Sequence, residues 1–152
     1  MGQGSKFYSV LGTRGGRPNF ITEDDIASGD KMAKDILGEM KKEGIKFSKD
    51  KIVFAARLEN GNKLFLEKDA LDHIIKRHST QFEKTFGVGG TEISNLLSET
   101  LSRGKLVSSE YRVVNGVKYY SSKYYFKGRY SIVYGIAENG YIETAYPKGG
   151  IR

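Results

Sequence analysis

Lys105-Leu-Val-Ser-Ser-Glu-Tyr-Arg-Val-Val-Asn115-Gly116-Val-Lys-Tyr-Tyr120 is the stretch whose reading decides the fold. β-Branched and aromatic residues alternate with polar ones on both sides of Asn115-Gly116, a dipeptide suited to a two-residue hairpin turn. Lys127-Gly128 and Asn139-Gly140 repeat the punctuation downstream. The pattern predicts a four-stranded antiparallel meander near residues 105–114, 117–126, 129–137 and 140–146.

Upstream of Gly104 the period changes. Thr91-Glu-Ile-Ser opens a helical pattern in which Ile93, Leu96, Leu97 and Leu101 share one face. Leu71, Ile74, Ile75 and His78 form a similar stripe and predict a helix over 68–79. Lys51-Ile-Val-Phe-Ala-Ala-Arg-Leu58 and Lys63-Leu-Phe-Leu66, joined through Glu59-Asn-Gly-Asn62, predict a β-hairpin. Thr22-Glu-Asp-Asp25 has the form of an N-cap followed by first-turn acids, and starts an expected helix over 23–43. Residues 1–20, rich in Gly and Arg and ending near Pro18-Asn19, suit a flexible lead-in. The expected organisation is therefore a linker over 1–20 and a single α+β domain over 21–152. In it, N-terminal helices pack on one face of a twisted four- to five-stranded antiparallel sheet.

The chain has 152 residues, one domain's worth of core, and a net charge of +7. Between Arg103 and Arg152 nine basic residues face three acidic ones, so the charge lies in the predicted sheet. A basic surface favours a polyanion. There is no cysteine, which excludes disulfides, thiolate metal sites and cysteine nucleophiles. No apolar run approaches the roughly 20 residues of a membrane span, and no signal-peptide pattern is visible. P-loop, GxGxxG, GxSxG and HExxH motifs are absent, as is a sequence cluster of acids for two-metal chemistry.

The two histidines, His73 and His78, both lie in Asp72-His-Ile-Ile-Lys-Arg-His78. Histidine moves protons near neutral pH. RNA cleavage without metal needs a base for the ribose 2′-hydroxyl, an acid for the leaving 5′-oxygen, and cations for the non-bridging oxygens. Two imidazoles beside Lys76 and Arg77 supply most of that set. Equally, His78 falls on the apolar stripe and suits a hydrogen-bonded core position, while His73 falls on the polar face near Arg77. A spacing of five does not stack both rings on one helical face, so a zinc pair is disfavoured and no metal or other cofactor is expected.

The last predicted strand, Tyr141-Ile-Glu-Thr-Ala-Tyr-Pro147, offers a second group. Strand alternation puts Thr144 and Tyr146 on one face, where they could hold a phosphate or stack a base, and Glu143 on the other. Glu143 is a possible general base that alternation turns away. Nine of the ten tyrosines lie between Tyr111 and Tyr146, among Lys118, Lys123, Lys127 and Arg129. That mixture suits base stacking beside phosphate contacts, and equally an ordinary half-exposed sheet.

With these residues in view the chain resembles the polymorphic toxin type 50 family, within the barnase, EndoU, colicin and RelE-like group of ribonucleases. The resemblance rests on Lys51-Ile-Val-Phe54 and its hairpin, Asp72-His-Ile-Ile-Lys-Arg-His78, Phe82, and Gly128-Arg-Tyr130 through Pro147. It spans residues 50–148. It implies a barnase/colicin-like ribonuclease fold and a metal-independent endoribonuclease, with tRNA the favoured substrate. It also implies a domain secreted as the C-terminal part of a larger effector and acting in the cytoplasm of a competing bacterium, with no membrane insertion of the folded domain. A cognate, acidic immunity protein would neutralise it, and a host-cell activator is left open. Arg77-His78 and Thr144-Ala-Tyr146 are similar to the basic–His pair and the Ser-x-aromatic of colicin-type tRNA nucleases, although Thr stands for Ser. The implied catalytic set is His78, Arg77, His73, Thr144 and Tyr146, with Lys76, Arg129, Tyr130 and Lys148 as RNA contacts. A non-catalytic RNA-binding module, or a protein-interaction module of a secreted or phage protein, is the alternative.

Overall fold

A computed structural model describes residues 19–58, 61–126 and 130–148. It is α+β, with two antiparallel sheets rather than one. Strand β1 (Phe20–Thr22) precedes helices α1 (Glu23–Ser28) and α2 (Lys31–Lys42). A short 3-10 turn (Lys49–Lys51) leads into β2 (Ile52–Arg57) and β3 (Lys63–Glu67). Helices α3 (Lys68–Phe86) and α4 (Glu92–Arg103) follow, and then β4 (Lys105–Val114), β5 (Val117–Phe126), β6 (Tyr130–Ala137) and β7 (Ile142–Lys148). The first sheet has the order β1-β2-β3 and the second β4-β5-β6-β7.

The expected helix over 23–43 is two helices. Gly29 adopts a left-handed conformation (φ 75°), and Asp30 then caps α2 by accepting from the Ala33 amide at 3.2 Å. The glycine stops one helix and the aspartate starts the next. At the other end of α1 the cap is the expected one, with Thr22 and Asp25 satisfying each other's amides. The helix expected over 68–79 runs on to Phe86, because Phe82 continues the buried stripe and left-handed Gly87 (φ 71°) is the first stop.

The expected packing of helices on a single face also needs correction. Phe54, Ala56, Leu64 and Leu66 point into a core shared with α3, α4 and the second sheet. Ala55 and Phe65 point the other way, into a second core formed with Ala33, Ile36 and Met40 of α2. The first sheet is thus buried on both faces, as its nearly continuous apolar strands require. In the second sheet Tyr124, Ile132, Tyr134, Ile136, Ile142 and Ala145 face the helices. Tyr124 and Tyr134 stack edge to face, and the Tyr134 hydroxyl donates to the Leu97 carbonyl at 2.7 Å, tying α4 to β6. These tyrosines serve the core.

Besides the shared core, a backbone bridge joins the two sheets. Phe65 bridges to Tyr141 in parallel and its amide donates to the Gly140 carbonyl at 2.9 Å. Gly140 has φ 96°, and a Cβ there would lie 1.9 Å from the Lys63 carbonyl oxygen. Only glycine permits that approach.

Candidate functional site

His78 lies in the middle of the packed stripe of α3, between Ile74 and Phe82, which are both fully buried. It remains partly exposed. α3 makes its main contact with the second sheet at the edge strand β7, and there the His78 ring meets the Tyr146 ring with centroids 5.4 Å apart. Its Nδ1 pairs with Oε1 of Gln81, one turn along. With that oxygen accepting, Nδ1 carries the proton and Nε2 is the ring's remaining basic atom.

Tyr146 belongs to the sheet face opposite the core. Register fixes what shares that face, because directly paired residues point the same way. One row crosses the sheet as Ser108, Lys123, Val133 and Tyr146, and the next as Glu110, Ser121, Gly135 and Thr144. Beyond them lie Arg112 opposite Tyr119 on one side, and Ser131 opposite Lys148 on the other. A groove of about 330 Å³ runs over these rows, lined by Arg112, Tyr119, Gly135, Glu143, Thr144 and Tyr146 among others. Gly135 gives it depth: the Thr144 methyl lies 3.0 Å from where a Cβ would stand.

Glu143 is the residue whose place alternation misjudges. β7 shifts register between Gly135 and Ile136 of β6: Thr144 pairs with Gly135 and Ile142 with Ile136, so Glu143 is an extra residue. Such a bulge breaks the alternation of side chains. Glu143 lines the same groove as Thr144 and Tyr146 instead of facing away. No sequence signal marks the bulge, and the carboxylate is found only once the register is known.

The other sequence-derived residues are placed as follows. His73, Lys76 and Arg77 are exposed on α3. Because the helix stays regular through His78, His73 points about 140° away from it and Lys76 about 160° away. Arg77 lies one position from His78, about 100° round the helix and nearer the side of His73. Lys148 is exposed at the end of β7, on the face of Thr144 and Tyr146. Tyr130 begins β6 opposite Phe126, and Arg129 lies outside the described residues. Lys123, one of the lysines set among the tyrosines, lies on the groove face, and Arg112 joins it without having stood out in the sequence.

Glu143 also sits near Tyr141. Burial, followed by the charges of Glu67, Asp69 and Glu143, pushes the Tyr141 phenol above its ordinary value. Among the described residues no group of three His, Cys, Asp or Glu side chains is arranged to hold a metal ion. No helix among them is long and apolar enough to cross a membrane. Set against known proteins, the chain matches no protein-family model and no curated sequence.

Proposed function

We propose that this domain is an endoribonuclease that cleaves RNA by internal transesterification without a metal ion. The observation that carries the proposal is the placing of His78 against Tyr146, at the edge of an open groove that holds Glu143 and Thr144. Glu143 takes the 2′-hydroxyl proton and the 2′-oxygen attacks phosphorus. The bond from phosphorus to the 5′-oxygen breaks, and His78, acting as the doubly protonated imidazolium, gives its Nε2 proton to the leaving oxygen. The products are a 2′,3′-cyclic phosphate and a 5′-hydroxyl. Thr144 hydrogen-bonds a non-bridging oxygen, and Tyr146 orients the imidazole and offers its ring to a base.

Arg112, Lys123 and Lys148 on the groove face attract the phosphates and hold the strand in register. Arg77 contributes long-range attraction from the flank. With His73 turned away from Tyr146, the second proton-transfer role passes from that histidine to Glu143. The biological setting follows from the family resemblance: a toxin domain delivered into competing bacteria, acting on tRNA and neutralised by an acidic immunity protein.

The test pairs cleavage with binding. His78→Ala is expected to slow cleavage by about 10²–10⁴-fold, the usual worth of one general acid, while RNA binding measured by anisotropy is retained. An unchanged rate would remove His78 from the chemistry. RNA that is bound but left intact by the wild-type chain would favour a binding module.

A further inference from the structure

The inner side of α2 is occupied by the second core, through Ala33, Ile36 and Met40. The side next to it carries Lys34, Leu37, Gly38 and Lys41, which the spacing i, i+3, i+4, i+7 places on one stripe, with Leu37 also packed against that core. Beside this stripe a groove of about 590 Å³ opens between α1, α2 and the segment 45–49. Ile26, Leu37, Ile45 and Phe47 line it and are each only partly buried. Its other lining is basic: Lys34, Lys41, Lys46 and Lys49, with no carboxylate. None of these four lysines makes an ion pair with a described residue. The nearby acids Glu39 and Glu43 are engaged elsewhere, by Arg57 and Lys63.

Gly38 adds an independent observation. Glycine inside a helix weakens it relative to alanine but leaves room for close approach. Among the described residues nothing uses that room: a Cβ on Gly38 would meet no atom within 4 Å. Gly38 lines the groove, so the room it leaves is open to whatever approaches from outside.

We infer that this groove docks an acidic amphipathic helix of a partner protein. The partner's apolar side fills the floor, its backbone passes close over Gly38, and its carboxylates meet the four lysines. A helix fits the stripe along α2 better than an extended strand does, since no strand residue lines the groove to pair with it. A polynucleotide would use the lysines and leave the apolar floor uncovered. The groove shares no lining residue with the one beside His78, so the inference stands apart from the ribonuclease proposal.

The test titrates the full chain, labelled with 15N, with a helical peptide of about 18 residues, five turns long, bearing Glu on one face and Leu on the other. A scrambled peptide of equal composition, phosphatidylserine vesicles and an RNA oligonucleotide serve as competing probes. The expected result is saturable binding of the amphipathic peptide alone, with amide shifts at Leu37, Gly38, Ile45 and Phe47. Gly38→Ala is expected to raise the Tm of the free chain and to weaken the peptide about tenfold, because the added methyl obstructs close approach. Lys34→Glu with Lys41→Glu is expected to weaken it and flatten its salt dependence. Equal binding of the scrambled peptide would overturn the inference, as would a Gly38→Ala chain that binds like wild type. Shifts at the same amides with vesicles or RNA but not the peptide would reassign the groove to that ligand.

Discussion

At the scale of the residue, the proposal turns on two side chains with different histories. His78 is visible in the sequence as a polar residue on an apolar stripe, and the fold explains the anomaly: the stripe meets Tyr146 at the sheet's edge, where the ring stays partly exposed. Glu143 is hidden, because strict alternation assigns it to the far side and only the bulge opposite Gly135 brings it into the groove. The two histidines look alike in sequence but lie on different sides of α3. Glu143→Gln is therefore expected to lower the single-turnover rate by about 10²–10⁴-fold, as loss of a general base does, with RNA affinity preserved. His73→Ala is expected to leave that rate essentially unchanged. A strong defect in His73→Ala with a mild one in Glu143→Gln would reverse the assignment.

At the scale of the element, the downstream meander and hairpin were readable because turn dipeptides and period-two patterning are local signals. β4 and β5 fall at 105–114 and 117–126 as expected, around Asn115 and Gly116 with their positive φ angles. The single helix expected over 23–43 was not, since glycine inside a helical pattern reads as a tolerated defect until its conformation is known. α2 is fixed to the first sheet by Glu39, which accepts from Arg57 at 2.6 Å and pairs with Lys63 at 3.2 Å. Burial pushes the Glu39 carboxyl up, but hydrogen bonds from Arg57 and Lys63, helped by their charges, outweigh it and hold it below its ordinary value. A lowered folded value means the contribution is present above the ordinary carboxylate range and is lost as pH falls through that lowered value. Glu39→Gln is expected to lower stability at neutral pH and to flatten its decline below about pH 4.5, as urea unfolding across pH would record.

At the scale of the whole molecule, the division into two sheets escaped the sequence because it depends on a contact between distant segments. Phe65 and Tyr141 are ordinary strand residues, and Gly140 looks like half of a turn dipeptide. Its second duty is to let the Lys63 carbonyl pass at a distance that no side chain tolerates. Gly140→Ala combines a positive φ with that backbone clash, and is expected to destabilise by about 3 kcal/mol or more in denaturant melts. Gly116→Ala also has a positive φ but open space beyond it, so it is expected to cost less. If the two cost the same, the junction between the sheets is looser than described. That junction matters because β7, which it anchors at Tyr141, carries the bulge, Thr144 and Tyr146.

The ends of the cut RNA record the reaction that made them. RNA extracted from bacteria expressing the wild-type chain, and RNA treated with the purified chain in EDTA, should both carry 2′,3′-cyclic phosphate and 5′-hydroxyl ends that are absent with His78→Ala. Intact RNA in both preparations, or cuts that leave 3′-hydroxyl and 5′-phosphate ends, would contradict the proposed reaction.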